Sequence, residues 1–240
     1  MSSIQIGQGG HGHGSPGHGG RQRSFEGLPH EHPKVASHFR SLEDQNDAGK
    51  LGMWLFLTTE VLLFAGFFCS YAVFRMLYPA AFHNASHHYL SWKIGFANTV
   101  VLLLSSWTVA MAIRSAQLNQ QVRIRLYLLI TILCGLFFLI VKIGWEYIPK
   151  IQKGELPMGL YSYVHGEFDQ EPLFLSIYWV ATATHGLHVL IGVLLLSWLL
   201  WRSTKLHFGP RSYLALENVG LYWHLVDLIW IFLFPLLYLI

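Results

Sequence analysis

The stretch LYWHLVDLIWIFLF, residues 221–234, is an apolar run of the kind that crosses a lipid bilayer as a helix. It nevertheless contains a histidine, His224, and an aspartate, Asp227. An ionisable side chain at the bilayer centre costs about 2.5 kcal/mol or more, so such residues normally face the interior of a helix bundle and have partners there. The stretch therefore predicts a membrane helix that makes polar contacts with neighbouring helices.

The composition of the whole chain also indicates a membrane protein. Of its 240 residues, 53% are hydrophobic and 12% are charged, and the mean hydropathy is +0.40. Soluble domains contain about 25% charged residues. The net charge is only +3, and no patch rich in lysine and arginine indicates a nucleic-acid partner. An integral membrane protein is the class that this composition favours.

Five apolar segments are each long enough to cross the hydrocarbon core, which takes about 20 helical residues. They lie near residues 51–77, 92–114, 126–148, 173–201 and 213–239. Because lipid satisfies no backbone hydrogen bond, we expect an all-α bundle of five transmembrane helices. Aromatic residues near the segment ends predict a belt at each membrane interface. Its members include Trp92, Tyr147, Trp198, Trp201 and Tyr238.

The chain divides into three regions by composition. Residues 1–24 are rich in glycine and histidine and are expected to be a disordered tail, residues 25–49 a polar N-terminal arm, and residues 50–240 the five-helix domain. Lysine and arginine are concentrated before the first segment and after the second and fourth segments. The positive-inside rule therefore predicts a cytoplasmic N-terminus and a C-terminus on the outside.

Ionisable residues inside the segments are the candidate site. Lys142 and Glu146 are four residues apart on one helix face, which predicts a local ion pair. The others lie on the first, fourth and fifth segments, several of them about 15–21 Å from a helix end, and we expect them to form one intramembrane polar layer. The members of this layer are Glu60, His185, His188, Glu217, His224 and Asp227. The second segment adds polar residues suited to helix packing, which are Asn98, Thr99, Ser105 and Ser106.

Interhelical hydrogen bonding is the preferred interpretation of this layer, with no metal site, but two alternatives stay open. His185 or His188 together with His224 would allow a bis-histidine haem, because they lie on two different helices. A stand-alone transporter or proton channel would use Glu60 and the histidines as a relay. Against a transporter, the sequence has no inverted repeat and no paired helices broken by glycine or proline.

Five motifs, in this order, resemble subunit III of the haem-copper terminal oxidases, the cytochrome c oxidase subunit III family, in its shorter bacterial form with five helices. They are LFLTTEVLLFAGFF (55–68), NTVVLLLSS (98–106), WEY (145–147), THGLHVLIG (184–192) and ENVGLYWHLVDLIWIFLF (217–234). The resemblance runs from about Lys50 to the C-terminus. The pairing of HGLHV on one helix with YWH-x-VD-x-x-W on the next makes it specific.

The resemblance implies a non-catalytic subunit of an oxidase in aerobic respiration. Haem and copper are then expected in the partner subunits I and II and not in this chain, with subunit IV or a respiratory supercomplex as further partners. Bound phospholipid, support of proton uptake, stabilisation of the catalytic subunit and a place in the bacterial plasma membrane are also implied. The electron donor is expected to be cytochrome c, with quinol as the alternative. Glu60 matches the family's carbodiimide-reactive carboxylate, and the other layer residues match its polar stripe.

Overall fold

The computed structural model describes residues 42–157, 160, 169–205, 208 and 213–239. Within these ranges the chain forms helices and no strand. Five helical stretches are long and apolar enough to cross a membrane, which confirms the predicted all-α membrane fold. The predicted tail, 1–24, and the arm up to residue 41 lie outside the described residues.

The helices are α1 (Leu42–Leu77), α2 (Pro79–Tyr89), α3 (Trp92–Gln117), α4 (Gln121–Val141), α5 (Ile148–Lys153), α6 (Glu171–Lys205) and α7 (Leu214–Tyr238). A π-helical segment, Lys142–Tyr147, joins α4 to α5, so these three form one continuous span. Residues 42–49, which the sequence analysis assigned to the polar arm, are the first two turns of α1. The third span is longer at both ends than the expected 126–148.

Helix α2 is an additional element that the sequence analysis did not predict. It is too short to cross a membrane, and Pro79 lies in its first turn, where a missing backbone N–H is tolerated. Its apolar side is buried: the ring of Phe82 lies 5.4 Å from that of Phe174 in α6. The hydroxyl of Ser86 donates a hydrogen bond to the backbone oxygen of Leu237 in α7, 2.7 Å away. These contacts fix α2 against the start of α6 and the end of α7.

The π-helical segment changes which side chains of the third span face the bundle. Pro149 follows it closely and has no N–H with which to continue a regular α-helical ladder. A π turn contains more residues than an α turn, so it rotates the following residues around the helix axis. Lys142 and Glu146, the two charged residues of the segment, are both buried.

The centre of the bundle is packed around Trp223 of α7, which is fully buried. Gly135 of α4 and Gly192 of α6 both pack against its ring. A Cβ added at either glycine would lie 2.7 Å from ring carbons of Trp223, closer than real Cβ contacts. Small residues at helix contacts let backbones approach closely in membranes. Glycine is therefore required at both positions, because a larger side chain would collide with the indole ring between α4 and α6.

Helix α1 is the least buried of the five spans. Only 11% of the residues in its most apolar stretch are buried, against 33–50% in the other four. Large apolar side chains such as Trp54, Leu62 and Met76 are exposed on it. Its contacts are with α2, α6 and α7. Most of the surface of α1 is therefore available to lipid or to another protein chain.

Candidate functional site

Glu60 of α1 and His188 of α6 form a direct contact inside the membrane span. His188 Nε2 lies 2.7 Å from Glu60 Oε2, and the side chains are 12% and 16% exposed. His188 Nδ1 lies 2.7 Å from the backbone oxygen of Thr184, and a carbonyl oxygen only accepts, so Nδ1 carries a proton and donates it. A second proton is then shared between Nε2 and the carboxyl group.

This arrangement fixes the total charge of the pair. If the shared proton is on Glu60, both groups are neutral. If it is on His188, an imidazolium faces a carboxylate, and the sum is again zero. The pair therefore carries no net charge in either state, as a low-dielectric surrounding requires. Phe64 covers one side of the Glu60–His188 pair, with its ring centre 5.4 Å from that of the His188 imidazole in an edge-to-face contact.

His224 and Asp227, the residues that the apolar run 221–234 contains, have partners on α3. His224 Nδ1 lies 2.6 Å from the hydroxyl of Ser106. The hydroxyl of Ser105 is 3.5 Å from Asp227 Oδ2 and accepts a hydrogen bond from Trp223 Nε1 at 3.0 Å. Ser106 thus bonds to His224. The Ser105 hydroxyl donates to the backbone oxygen of Leu102 at 2.7 Å, so its contact with Asp227 is a long one, and Asp227 Oδ1 has no partner among the described residues.

Lys142 and Glu146 are in contact, as their spacing predicts, and belong to a larger group that we call the aromatic ion-pair cluster. Its members are Lys142, Glu146, Tyr178, Trp230 and Tyr238. The hydroxyls of Tyr178 and Tyr238 donate to Glu146 Oε2 at 2.7 Å and 2.6 Å. The Lys142 ammonium lies 4.9 Å from the centre of the Trp230 ring, within the range of a cation–π interaction.

Sequence reasoning missed the two tyrosines of this cluster. Tyr238 was assigned to the interfacial aromatic belt, but it is buried and bonded to Glu146. Trp92, Trp198 and Trp201, by contrast, are exposed. The signal available in the sequence was the charge of Lys142 and Glu146 itself, because a buried pair requires further donors and acceptors.

The remaining predicted layer residues, His185 and Glu217, make no hydrogen bond with the groups described above. His185 is buried, stacks on Trp230 with ring centres 5.1 Å apart, and is flanked by Phe64 and Phe138. Neither of its ring nitrogens has a hydrogen-bond partner among the described residues. Glu217 is partly exposed in the first turn of α7, about 15 Å along the helix from Asp227. In place of one layer, the described side chains form three polar clusters. These are Glu60 with His188, the residues of α7 that contact Ser105 and Ser106, and the aromatic ion-pair cluster.

The four residues of α3 that were predicted to support helix packing differ in whether they have partners. Thr99 accepts a hydrogen bond from Trp230 Nε1 at 3.0 Å, and Ser105 and Ser106 bond to α7 as described above. Asn98 is buried, and neither atom of its amide group has a partner among the described residues. Three of the four predicted residues therefore join α3 to α7.

The histidines of the spans are not arranged as a metal or haem site. Both ring nitrogens of His188 are engaged, and His224 Nδ1 contacts Ser106. His185 is buried between the rings of Trp230 and Phe138. In the part of the chain that the structure describes, no group of three or more histidine, cysteine, aspartate or glutamate residues is placed to hold a metal ion.

Comparison with known proteins finds one family and several similar sequences. Residues 43–240 match the family model for cytochrome c oxidase subunit III. The chain is 32% identical over 206 residues to a probable cytochrome c oxidase subunit 3 of Mycobacterium leprae, covering 86% of this chain and 94% of that protein. It is also similar to cytochrome c oxidase subunit 3 of Synechocystis (32% identity, 81% and 76% covered) and of Drosophila melanogaster (33%, 78% and 67%).

Proposed function

This chain belongs to the cytochrome c oxidase subunit III family, and we propose that it is the non-catalytic subunit of its haem-copper oxidase. The observation that carries the proposal is the family match, which extends over residues 43–240 and so includes all five spans. Membership places the chain in a multi-subunit oxidase complex in a membrane. Subunits I and II, with the haem and copper, are the proposed direct partners, and subunit IV or a supercomplex are further ones.

We infer that cytochrome c, and not quinol, is the electron donor of the complex. The relatives that support the family carry the name cytochrome c oxidase, and no observation favours a quinol oxidase. The bacterial plasma membrane is the proposed location, because relatives of this length occur in bacteria such as M. leprae. The distribution of lysine and arginine supports a cytoplasmic N-terminus.

The proposed contribution of the three polar clusters is to hold the bundle in the form that docks on the oxidase core. The Glu60–His188 contact is a direct polar link between α1 and α6, and α1 is otherwise little buried. Because each interhelical hydrogen bond in a membrane contributes about 0.6 kcal/mol on average, the link positions α1 more than it stabilises the fold. The apolar surface of α1 is then covered by partner subunits and lipid.

A bound phospholipid is supported by a groove between α1 and α7. The groove has a volume of about 440 Å³ and is mainly apolar, with one charged side chain, Arg75, near the end of α1. A guanidinium above an apolar groove suits a lipid phosphate with its acyl chains below. We propose that a phospholipid occupies this groove in the assembled complex.

Co-purification tests the subunit assignment. An affinity tag on this chain is expected to isolate a complex that shows haem absorption bands and oxidises reduced cytochrome c, with subunits I and II identified by mass spectrometry. The matched control carries the same tag on an unrelated five-span protein. A tagged chain that migrates alone after mild solubilisation, and conducts protons in liposomes, would contradict the assignment.

Substitution of Glu60 separates assembly from proton handling. Glu60→Gln keeps an amide N–H that donates to His188 Nε2, so we expect normal subunit stoichiometry and a normal initial rate of oxygen reduction. Changes should be confined to proton uptake or to the lifetime of activity during continuous turnover. Glu60→Leu removes the link, and we expect more of the subunit to be lost during detergent washing.

Thr58→Val is the matched control, because Thr58 is exposed and its hydroxyl bonds only within α1. It should behave as the unsubstituted chain in stoichiometry, rate and lifetime. Complete loss of oxygen reduction in a fully assembled Glu60→Gln complex would contradict a non-catalytic role.

A further inference from the structure

Helix α2 carries two histidines on the face that is turned away from the bundle. Its apolar side is buried against α6 and α7, whereas His83 and His87 are exposed. The two residues are four apart, which places their side chains one above the other on a helix. The polar clusters described above do not involve either residue. The pair is therefore a separate feature of the molecule.

The two imidazole rings are spaced as they would be on a shared metal ion. Their centres are 4.7 Å apart, and their planes are inclined by 51°. With metal–nitrogen bonds of about 2.0–2.1 Å, two imidazoles on one ion have ring centres roughly 4.5 Å apart at a right angle and roughly 5.1 Å apart at the tetrahedral angle. The observed separation lies between these values, so the two rings are close enough together to share one ion.

The helix beneath the pair is held in place before any ion binds. Ser86, between the two histidines in sequence, bonds to the backbone of α7, and Phe82 packs on Phe174. An ion that binds here does not have to order the backbone, and this reduces the entropy lost on binding. Two histidines at this spacing on one helix face are also the arrangement that supplies zinc ligands in metalloproteases.

We propose that His83 and His87 bind one divalent transition-metal ion, Zn²⁺ or Cu²⁺, with water in the remaining positions. Imidazole nitrogen suits these ions, whereas Mg²⁺ and Ca²⁺ prefer oxygen ligands. The described residues place no third histidine, cysteine or carboxylate with the pair.

Residue-resolved chemical labelling tests the site in the intact complex. Diethyl pyrocarbonate modifies free imidazole, and peptide mass spectrometry reports each histidine separately, so histidines elsewhere do not obscure the result. Zn²⁺ is expected to reduce the labelling of His83 and His87 severalfold, with one common dependence on Zn²⁺ concentration. Mg²⁺ at the same concentrations should have no effect. Labelling of both residues that is unchanged by Zn²⁺ would overturn the proposal.

Two variants distinguish a chelating pair from independent surface histidines. In His87→Gln, His83 should lose its protection by Zn²⁺, because a single imidazole binds the ion far more weakly than two. His88→Gln is the matched control: His88 is exposed on the adjacent position, and its replacement should leave the protection of His83 and His87 unchanged. Protection of His83 that persists in His87→Gln, or that disappears equally in His88→Gln, would overturn the proposal.

Discussion

Replacing Glu146 with leucine is expected to destabilise the subunit strongly, so that it loses its fold at a much lower temperature. Lys142 would remain buried among aromatic rings without its counter-charge, and the hydroxyls of Tyr178 and Tyr238 would lose their acceptor. Removing one partner of a buried ion pair costs about 3–5 kcal/mol. Because whole proteins are stable by only about 5–15 kcal/mol, this is a large part of the total. The measurement is the fraction of monodisperse subunit after a series of heating steps, by fluorescence-detected size exclusion.

A double variant shows whether the unpaired charge of Lys142 causes the loss of stability in Glu146→Leu. In Lys142→Met with Glu146→Leu no unpaired charge remains, and replacing both members of a buried pair by apolar residues is often nearly neutral. We therefore expect the double variant to recover most of the loss seen in Glu146→Leu. Lys153→Met, on the exposed side of α5, is the control and should change stability by no more than about 0.5 kcal/mol. A single variant as stable as the unsubstituted chain would contradict the role given to the aromatic ion-pair cluster.

Gly192→Ala is expected to destabilise the bundle, although it adds only one carbon. The added methyl group would lie 2.7 Å from two carbons of the Trp223 ring, and Gly135 packs against the same ring. Overpacking of a tight core costs about 1–3 kcal/mol. We expect a lower melting temperature and a loss of subunit from the complex during detergent washing.

Gly186→Ala provides the matched control on the same helix. A Cβ at Gly186 meets nothing within 4 Å, and alanine is a better helix former than glycine by about 1 kcal/mol. The control should be neutral or slightly stabilising. Equal behaviour of the two variants would show that the close approach of α6 to Trp223 is not a constraint on the fold.

The number of spans was predictable because bilayer thickness sets the length of each apolar segment. The contact of Lys142 with Glu146 follows from helix geometry alone, since residues four apart share a face. Helix α2 was not predicted, because it is too short for a membrane span. Its histidines also interrupt the apolar pattern, which consists of only a few residues. Helix boundaries at Leu42 and Lys153 extend into polar sequence, where hydropathy gives no signal.

The partners of the charged residues were not predictable from spacing. Tyr178 and Tyr238 are 32 and 92 residues from Glu146, and nothing local in the sequence states that their hydroxyls meet one carboxylate. The same holds for Ser106, which reaches His224 from 118 residues away. Depth in the membrane indicated which residues share a level, but the rotation of each helix about its axis decides which of them touch. That rotation is set by packing, as the contact of two glycines with Trp223 illustrates.

The π-helical turn at Lys142–Tyr147 has a consequence for how this sequence can vary in length. The six π-helical residues turn the chain through about the same angle as five residues of a regular α-helix, so loss of a single residue there would restore the regular ladder and leave the later positions of the third span facing the same way. Lys150 would still face the backbone oxygen of Tyr89, to which it donates. A homologous chain with a regular helix here should therefore align with a one-residue gap inside 142–147 and remain in register after it.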